Sequence, residues 1–334
     1  MNYQSLIATK ASRLANAAKE RTILDFGARR AHGRDAAIIG VRAAYIGGIT
    51  GTSLVVAAKK WKIPCIGTMP HKFIQDRPSE LQAFREYVES FPHNAILLID
   101  TYDTILGAKN AVTIGKELRK KGYDLRGVRL DSGDMLSLSK KVREILDEAG
   151  YKATKIFASS DLDEFRIDDF LSKGAPIDGF GVGTALITGA NYNSITKEGG
   201  ISALNGVYKM VEKIDEMGRS IPKIKTSEDK ILLPRRKQVY RKITDCQYVE
   251  DLITMWDEKP EGGSLNPLLF PIIREGKLVY NFPTVSEIKK HCLEQQDMLP
   301  EKYKDLHEDV SYPVNVSPKL SKMTDELIKK YSRH

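Results

Sequence analysis

The stretch GVRLDSGDMLSLSKKVREILDEAGYKATKIFASS (127–160) contains a strand, a helix and a second strand in one continuous run. GVRL (127–130) and KIFAS (155–159) are short and do not alternate between apolar and polar residues, which is typical of strands buried on both faces of a sheet. Between them, 135–149 has the spacing of an amphipathic helix. Two buried strands joined by a helix are expected to run parallel and to lie in the same sheet.

The same alternation of strand and helix extends along the first two thirds of the chain. Further strand candidates are TILDF (22–26), IPCIG (63–67), AILLI (95–99) and IDGFG (177–181), and helical patterns occupy 79–90, 104–121 and 163–173. Repeated units of this kind predict an α/β fold with a parallel sheet. The composition agrees, because 41% of the 334 residues are hydrophobic and a chain of that length buries a sizeable core.

Ligand-binding and reactive residue types follow the carboxyl ends of six successive strand candidates. In chain order they are Arg29 and Arg30, Thr68 and His71, Asp100 and Asp103, Asp131 and Ser132, Ser160 and Asp161, and Gly183 and Thr184. Some of these are ordinary helix N-cap types, but capping does not explain His71, Arg29 or Arg129. In a βα barrel all such ends meet on one face, whereas an open sheet gathers ligand residues only at a switch point. The sequence therefore favours a parallel βα (TIM-like) barrel.

Cysteine content and hydropathy exclude several classes of protein. The three cysteines, Cys65, Cys246 and Cys292, are too few and too far apart for a disulfide framework or a cysteine-built zinc site. No apolar run reaches the ~20 residues that a membrane span needs, and the N-terminus lacks a signal-peptide core. We therefore expect a cytoplasmic protein with no membrane partner.

Positive charge is concentrated in two stretches. Of the formal net charge of +8, residues 10–34 contribute seven basic and two acidic side chains, and residues 213–242 contribute ten basic and four acidic ones. Two basic clusters fit an anionic ligand bound at two places, and they fit solvated surfaces equally well. Nucleic acid ranks low as a partner, because zinc-finger spacing, RNP-type motifs and basic-leucine heptads are absent from the sequence.

Two glycine-rich stretches indicate phosphate binding. FGVGTALITG (180–189) and YIGGITGTS (45–53) offer backbone N–H groups and hydroxyls to an anion, although neither is a Walker motif or a complete GxGxxG. Asp100, Asp103 and Asp131 are of the type that binds Mg²⁺ and ribose hydroxyls beside phosphates.

His71 is the histidine with the strongest claim to a catalytic role. It has no paired ligand for a metal and no serine partner for a triad. A lone histidine is most often structural, but one among phosphate-binding groups and carboxylates is also a candidate nucleophile or proton carrier. His32 and His93 are interpreted as loop histidines.

Six blocks of the sequence resemble the nicotinate phosphoribosyltransferases. They are LDFGARRAHG (24–33), RAAYIGGITGTS (42–53), GTMPHKFI (67–74), LLIDTYDT (97–104), GVRLDSGD (127–134) and DGFGVGTALIT (178–188), and KTSEDKILLPRRKQVYR (225–241) is similar as well. The resemblance implies an irregular α/β barrel and a homodimer with shared active sites. It also implies a reaction of NAD biosynthesis in which nicotinate and 5-phosphoribosyl 1-pyrophosphate (PRPP) give nicotinate mononucleotide and pyrophosphate, coupled to ATP hydrolysis.

Individual residues take their implied roles from these blocks. His71 matches the histidine that ATP phosphorylates, and Asp100 and Asp131 match catalytic residues around the ribose and Mg²⁺. Nicotinate is expected at Phe26, Thr68 and Arg129, and the PRPP phosphates at Arg29 or Arg30, Ser160, Asp161, Gly181, Gly183 and Thr184, with Lys230 and Lys237 of the basic 225–241 block reaching the neighbouring subunit's ligand. Mg²⁺ is the expected cofactor and ATP the expected co-substrate.

The resemblance also bears on substrate choice and on domain organisation. The nicotinamide-specific relatives are expected to carry an acidic residue in the stretch matching 46–58, which here has none, so a carboxylate substrate is favoured. Family members have a further segment before the block at NYQSLIATKASR (2–13). We therefore predict a helix of an incomplete smaller α/β domain at 1–20, formed by the chain ends, a barrel at 21–244 and a packing domain at 245–334.

Three other functions remain in view at this point. A quinolinate phosphoribosyltransferase has a related fold but no ATP step, and the GTMPH motif (67–71) argues against it. A truncated, inactive homologue would bind PRPP without turnover. A nucleic-acid binder would show a steep dependence of affinity on salt.

Overall fold

The computed structural model describes residues 2–191, 193–199, 203–204, 206–227, 230–261, 264–308 and 310–331, without the side chains of 227, 230 and 231. The chain divides into two compact units. The first comprises Met1–Leu204 and Thr284–Leu293, and the second comprises Asn205–Pro283 and Glu294–His334. The division predicted at 20 and 244 stays a prediction.

A parallel six-stranded sheet forms the centre of the first unit. Its strands are β1 Thr22–Asp25, β2 Gly51–Thr52, β3 Ile96–Leu98, β4 Gly127–Leu130, β5 Lys155–Ser159 and β6 Gly179–Val182, hydrogen-bonded in the order β2-β1-β6-β5-β4-β3. Because the last strand pairs with the first, this is the order of a ring interrupted between β2 and β3. The predicted α/β class is confirmed as a curled, half-barrel sheet.

One strand prediction is wrong. IPCIG (63–67) forms only a single parallel bridge, from Cys65 to Thr52, and the strand in this part of the sheet is Gly51–Thr52. Pro64 has no N–H to donate to a ladder, which favours an isolated bridge over a strand. The segment still lies along β2, because Thr52 N donates to Pro64 O at 3.0 Å and Ile66 N donates to Thr52 O at 2.9 Å.

Helices connect the strands of the first unit. They are α1 Asn2–Ala18, α2 Arg34–Ile46, α3 Val55–Trp61, α4 His71–Gln75, α5 Glu80–Ser90, α6 Thr104–Lys120, α7 Met135–Glu148, α8 Glu164–Ser172 and α9 Thr184–Thr188, with 3₁₀ turns at Ala28–Arg30 and Pro92–Asn94. Asp103, Asp134 and Asp163 cap α6, α7 and α8 by accepting backbone N–H groups. Asp103, considered above as a cation ligand, is therefore a helix cap.

The strands of this sheet are buried as predicted. All residues of β3 and β6 are buried, and Phe180 and Leu97 have no exposed surface. On the helical side, a buried ion pair between Lys10 and Glu164, 2.6 Å apart, joins α1 to α8. The sheet is thus covered on both faces, and only its strand ends are open to a ligand.

The second unit is built mainly from antiparallel strands. They are β7 Glu212–Ile214, β8 Ser220–Pro222, β9 Thr226–Ser227, β10 Lys230–Ile231, β11 Lys237–Thr244, β12 Gln247–Met255, β13 Ser264–Pro267, β14 Ile273–Arg274, β15 Lys277–Leu278 and β16 Val314–Val316, followed by α11 Pro318–Tyr331. A four-stranded sheet has the order β13-β11-β12-β16. A 3₁₀ turn occupies Glu301–Tyr303, and α10 (Val285–Asp297) contributes residues to both units. Within the described ranges, no helix is long and apolar enough to cross a membrane.

Candidate active site

His71 begins α4 and faces the ends of two neighbouring strands. Its Nδ1 lies 3.1 Å from Thr101 Oγ1, just beyond β3, and its Nε2 lies 3.5 Å from Asp131 Oδ2, just beyond β4. The side chain is 37% exposed, so a phosphate donor can reach it. Two ring nitrogens with different polar partners hold the imidazole in one orientation.

Asp100 and Asp131 form a hydrogen-bonded network across three strand ends. Asp100 Oδ2 accepts from Asp131 N at 2.9 Å and from Ser132 Oγ at 2.6 Å. Asp131 Oδ1 accepts from Ser159 Oγ at 2.5 Å. Asp100 Oδ1 is buried and has no hydrogen-bond partner among the described residues. The network therefore fixes both carboxylates and leaves one oxygen of Asp100 open to a ligand.

Arg129 and Phe26 come together from β4 and β1. The Arg129 guanidinium lies 5.7 Å from the centre of the Phe26 ring, and its Nη2 donates to Met69 O at 3.4 Å. Burial lowers the pKa of Arg129, while Asp131 and Asp100 act in the opposite direction. A Cβ on Gly181 would lie 2.4 Å from Phe26 Cε2, so only glycine fits beneath that ring.

Two of the side chains predicted to hold nicotinate carry buried, unpaired polar atoms. Thr68 Oγ1 and Arg129 Nε have no hydrogen-bond partner among the described residues. An unmade hydrogen bond at a buried group costs about 1–3 kcal/mol. The hydroxyl and the N–H are therefore available to a polar ligand that lies beside Phe26.

The two arginines predicted as alternatives for a phosphate contact lie on one exposed turn. Both Arg29 and Arg30 are exposed on the 3₁₀ turn Ala28–Arg30. Arg29 lies close enough to Arg129 for its charge to lower the pKa of Arg129, after the larger effect of burial. Arg29 therefore adds to the positive potential around Arg129.

The loops after β5 and β6 carry the remaining predicted phosphate contacts of this unit. Ser160 and Asp161 are exposed and have φ of 87° and 44°, a left-handed pair that is strained for residues other than glycine. Gly183 precedes α9, and Thr184 is exposed at its first position. Beside Ser160, a cleft of about 460 Å³ is lined by Ser132, Gly133, Asp134, Arg166 and Lys197, among others.

The sequence relationship explains this arrangement. The model of the nicotinate phosphoribosyltransferase (NAPRTase) family matches residues 22–242, and that of the nicotinate phosphoribosyltransferase C-terminal domain matches residues 261–324. The chain belongs to the nicotinate phosphoribosyltransferase family. The resemblance carried by the six sequence blocks is thereby confirmed.

Two curated members of the family match almost the whole of this chain. The chain is 40% identical over 322 residues to nicotinate phosphoribosyltransferase pncB2 of Mycobacterium tuberculosis, covering 96% of this chain and 65% of that protein. It is 38% identical over 342 residues to the nicotinate phosphoribosyltransferase of Bacillus subtilis, covering 95% and 67%. The chain thus spans about two thirds of the length of these relatives. Human nicotinic acid phosphoribosyltransferase shares the fold, with a TM-score of 0.76 at 21% identity, covering 98% of this chain and 74% of that one.

Several side chains at the strand ends of this family member were missed in the sequence. Asp25, at the end of β1, accepts a hydrogen bond from Thr52 Oγ1 at 2.6 Å. Ser159 and Thr101 contact Asp131 and His71, as described above. Asp25 and Ser159 lie inside their strands rather than after them, and the signal that could have found them is a polar residue in an otherwise buried, apolar run.

The predicted lysines lie in the second unit. Lys237 Nζ donates to Leu233 O at 2.8 Å and to Arg235 O at 2.7 Å, and burial lowers the pKa of Lys237. The ammonium therefore stabilises its own loop in this structure. The side chain of Lys230 lies outside the described residues.

Proposed function

We propose that this chain joins nicotinate to PRPP, giving nicotinate mononucleotide and pyrophosphate, and couples the reaction to ATP hydrolysis. The observation that carries the proposal is His71 held between Thr101 and Asp131, on the same side of the sheet as the half-buried Arg129–Phe26 pair, in a member of this family. We further propose that the protein acts in the cytoplasm as a homodimer, on a TIM-like barrel whose ring order the six strands already follow.

Nicotinate binding is assigned to Phe26, Thr68 and Arg129. The pyridine ring would stack against Phe26, as flat apolar rings favour. Its carboxylate would pair with the Arg129 guanidinium, whose fork matches a carboxylate and whose Nε is unpaired. The Thr68 hydroxyl supplies one more donor. Since burial strengthens a charge pair, nicotinate is favoured over the neutral amide of nicotinamide.

The ATP step is assigned to His71. A ring nitrogen forms a bond to the γ-phosphorus of ATP while the bond to the bridging oxygen breaks, and ADP leaves with the electron pair. Asp131 Oδ2, 3.5 Å from Nε2, favours the tautomer that carries hydrogen on Nε2. The Nδ1 lone pair beside Thr101 is then the nucleophile. Water later attacks the phosphorus, the N–P bond breaks, and phosphate is released with His71 restored.

The transfer step is a substitution at C1 of the ribose. The ring nitrogen of nicotinate forms the new bond to C1, the bond from C1 to the pyrophosphate oxygen breaks, and pyrophosphate leaves with the electron pair. The sugar becomes more positive as that bond breaks, and the fixed carboxylates of Asp100 and Asp131 stabilise it. Arg29 lies on the exposed turn where it can contact a phosphate of PRPP.

Magnesium would be held by Asp100 and Asp131. No group of three or more His, Cys, Asp or Glu side chains in the described part of the chain is placed to bind a metal. Two carboxylates suffice for Mg²⁺, because this ion keeps several waters and binds substrate phosphates. Asp100 fits, since its Oδ1 is unpaired. When bound, the ion supplies positive charge that stabilises the departing pyrophosphate.

The test is product formation by the purified chain. Nicotinate, PRPP and Mg²⁺ are incubated with and without ATP, and nicotinate mononucleotide is separated by chromatography. Product that increases with ATP supports the proposal. PRPP binding by calorimetry without any product would indicate an inactive homologue, and product from quinolinate but not from nicotinate would indicate the other reaction.

A further inference from the structure

Asp25 is a buried carboxylate without a positively charged partner. It ends β1, between β2 and β6 in the sheet, and is 1% exposed. No lysine, arginine or histidine of the described residues forms an ion pair with it. Burial raises the pKa of Asp25, and hydrogen bonds from Thr52 and Gly27 oppose that effect. A buried charge of this kind lowers stability unless hydrogen bonds compensate for its lost hydration.

The two oxygens of this carboxylate accept hydrogen bonds from two different chain segments. Oδ1 accepts from Gly27 N at 2.9 Å, and Oδ2 accepts from Thr52 Oγ1 at 2.6 Å. Thr52 Oγ1 in turn accepts from Leu54 N at 3.0 Å. The backbone carbonyl of Asp25 accepts from Ser53 N at 3.0 Å and from Ser53 Oγ at 3.1 Å. One residue therefore joins the end of β1 to the whole loop that follows β2.

The fixed position of Gly27 also restricts the backbone of its neighbour Phe26. A Cβ on Gly27 would lie 2.7 Å from Ile187 Cβ and 2.8 Å from Gly183 O, so the backbone packs closely there. Phe26 lies between the two anchored residues, and its own N–H donates to Val182 O at 2.9 Å. With both neighbours fixed, the ring keeps its place over Gly181 and beside Arg129.

We propose that Asp25 is a positioning residue for the nicotinate subsite. Its carboxylate orients Gly27 and Thr52, which together fix the Phe26 ring and the turn Ala28–Arg30 that carries Arg29. The inference deepens the proposed function and rests on it. Asp25 makes no contact with substrate in this role, so its effect appears in the affinity for nicotinate rather than in the chemical step.

The test uses Asp25→Asn and Thr52→Val, because each substitution nearly preserves the shape of the side chain. Asp25→Asn disturbs the hydrogen bonds to Gly27 and Thr52, and Thr52→Val leaves Asp25 Oδ2 and Leu54 N unpaired. The KM for nicotinate should therefore rise about tenfold, since small misplacements near a reacting group have large effects. The KM for PRPP should change less than twofold, that is, within about 0.4 kcal/mol. The double variant should lose no more than the worse single one, because both changes break the same contact.

Stability separates positioning from a purely structural role. Asp25→Asn removes a buried charge that has no positively charged partner among the described residues, so its melting temperature at neutral pH should equal or exceed that of the unchanged protein. Thr154→Val is the matched control, because Thr154 Oγ1 is also buried and donates to Leu125 O at 3.0 Å, before β5 and away from the strand ends that carry the site. It should lower the melting temperature without changing either KM.

Hydrogen exchange provides a readout that does not depend on turnover. Amides of 26–31 should exchange faster in Asp25→Asn than in the unchanged protein or in Thr154→Val. If the unchanged chain makes no product, the proposed function fails and exchange alone decides the positioning role. Unchanged exchange, or a loss of melting temperature with no selective rise in the KM for nicotinate, overturns the inference.

Discussion

Ser159 and Asp131 share a 2.5 Å hydrogen bond that fixes which oxygen of Asp131 faces His71. The Ser159 hydroxyl donates to Asp131 Oδ1, whereas Asp131 Oδ2 lies 3.5 Å from His71 Nε2. Ser159 is itself buried, so it has no competing solvent contact. A serine within β5 thus influences the orientation of His71 through Asp131, which follows β4.

Replacing Ser159 by alanine should weaken the ATP step in particular. Without its donor, Asp131 can turn away from His71, and loss of one such bond to a charged group corresponds to about 1.5–3 kcal/mol, or roughly a tenfold to hundredfold lower rate of ATP-coupled product formation. Ser139→Ala is the control, since Ser139 is also buried and donates to Leu136 O within α7. An equal loss in both variants would contradict the assignment.

His71→Ala should abolish phosphorylation of the chain and the stimulation by ATP, while slow transfer without ATP persists. The physical reason is that the imidazole is the proposed nucleophile and does not touch C1 of PRPP. The measurement is incorporation of label from γ-labelled ATP, together with product formation. His93→Ala, which changes a histidine packed against Tyr123, should behave like the unchanged chain. Undiminished labelling of His71→Ala would assign the phosphoryl group to another residue.

Arg129→Lys should raise the KM for nicotinate and leave the KM for PRPP nearly constant. Lysine keeps the charge but loses the planar fork and its contact with the Phe26 ring. Hydrogen bonds to a charged group contribute about 1.5–3 kcal/mol, so an increase of roughly tenfold to hundredfold is expected in initial-rate measurements. An equal rise in both KM values would argue for a general disturbance of the site.

Gly181→Ala should reduce nicotinate affinity by displacing the Phe26 ring. The new methyl group would lie 2.4 Å from Cε2, well inside van der Waals contact, and Phe26 has a second close neighbour in Arg129. Calorimetry with nicotinate and a thermal melt measure the two consequences. Gly206→Ala adds the same methyl group where no atom lies within 4 Å and should change neither.

Glu80→Gln should stabilise the protein at neutral pH. Burial raises the pKa of Glu80 above its usual 4.5, so ionisation of Glu80 opposes folding increasingly as the pH rises from the unfolded-state pKa through the folded-state pKa. The gain in melting temperature over the unchanged chain should therefore be present at pH 7–8 and vanish as the pH falls below about 4.5. Glu117→Gln serves as the control, because its pKa shift has the opposite direction: the hydrogen bond to Arg85 lowers the pKa of Glu117. No gain in melting temperature is expected for Glu117→Gln at any pH.

The sequence predicted those parts of the fold that short-range patterns determine. The strands at 96–98, 127–130 and 155–159 are short, mostly buried runs, and the helices after them begin at ordinary caps. IPCIG (63–67) has the same composition but contains a proline. The sequence did not predict the hairpin of β11 and β12. Its turn residues, Asp245 and Cys246, both adopt positive φ, but the turn lacks the glycine or asparagine that usually marks such a turn in a sequence.

The sequence indicated the site residues that lie in the quoted motifs, and not those that act only through partners elsewhere in the chain. Asp100 and Asp131 follow strands, Arg129 lies within β4, and His71 begins α4. The structure brings these residues together. Asp25 acts through partners such as Thr52, 27 positions away in the chain. Such pairings depend on which strands become neighbours, and periodicity in one segment contains no information about that.

The pairing of β1 with β6 also has a consequence during protein synthesis. Thr22 pairs with Gly179, so β1 lacks its neighbour β6 until the ribosome has translated most of the first unit. At about 5–20 residues per second, this delay is roughly 10–30 s. Throughout it, an apolar strand edge has no partner. We therefore expect slow folding that is completed late in translation, and a nascent chain on which chaperones act before the sheet can form.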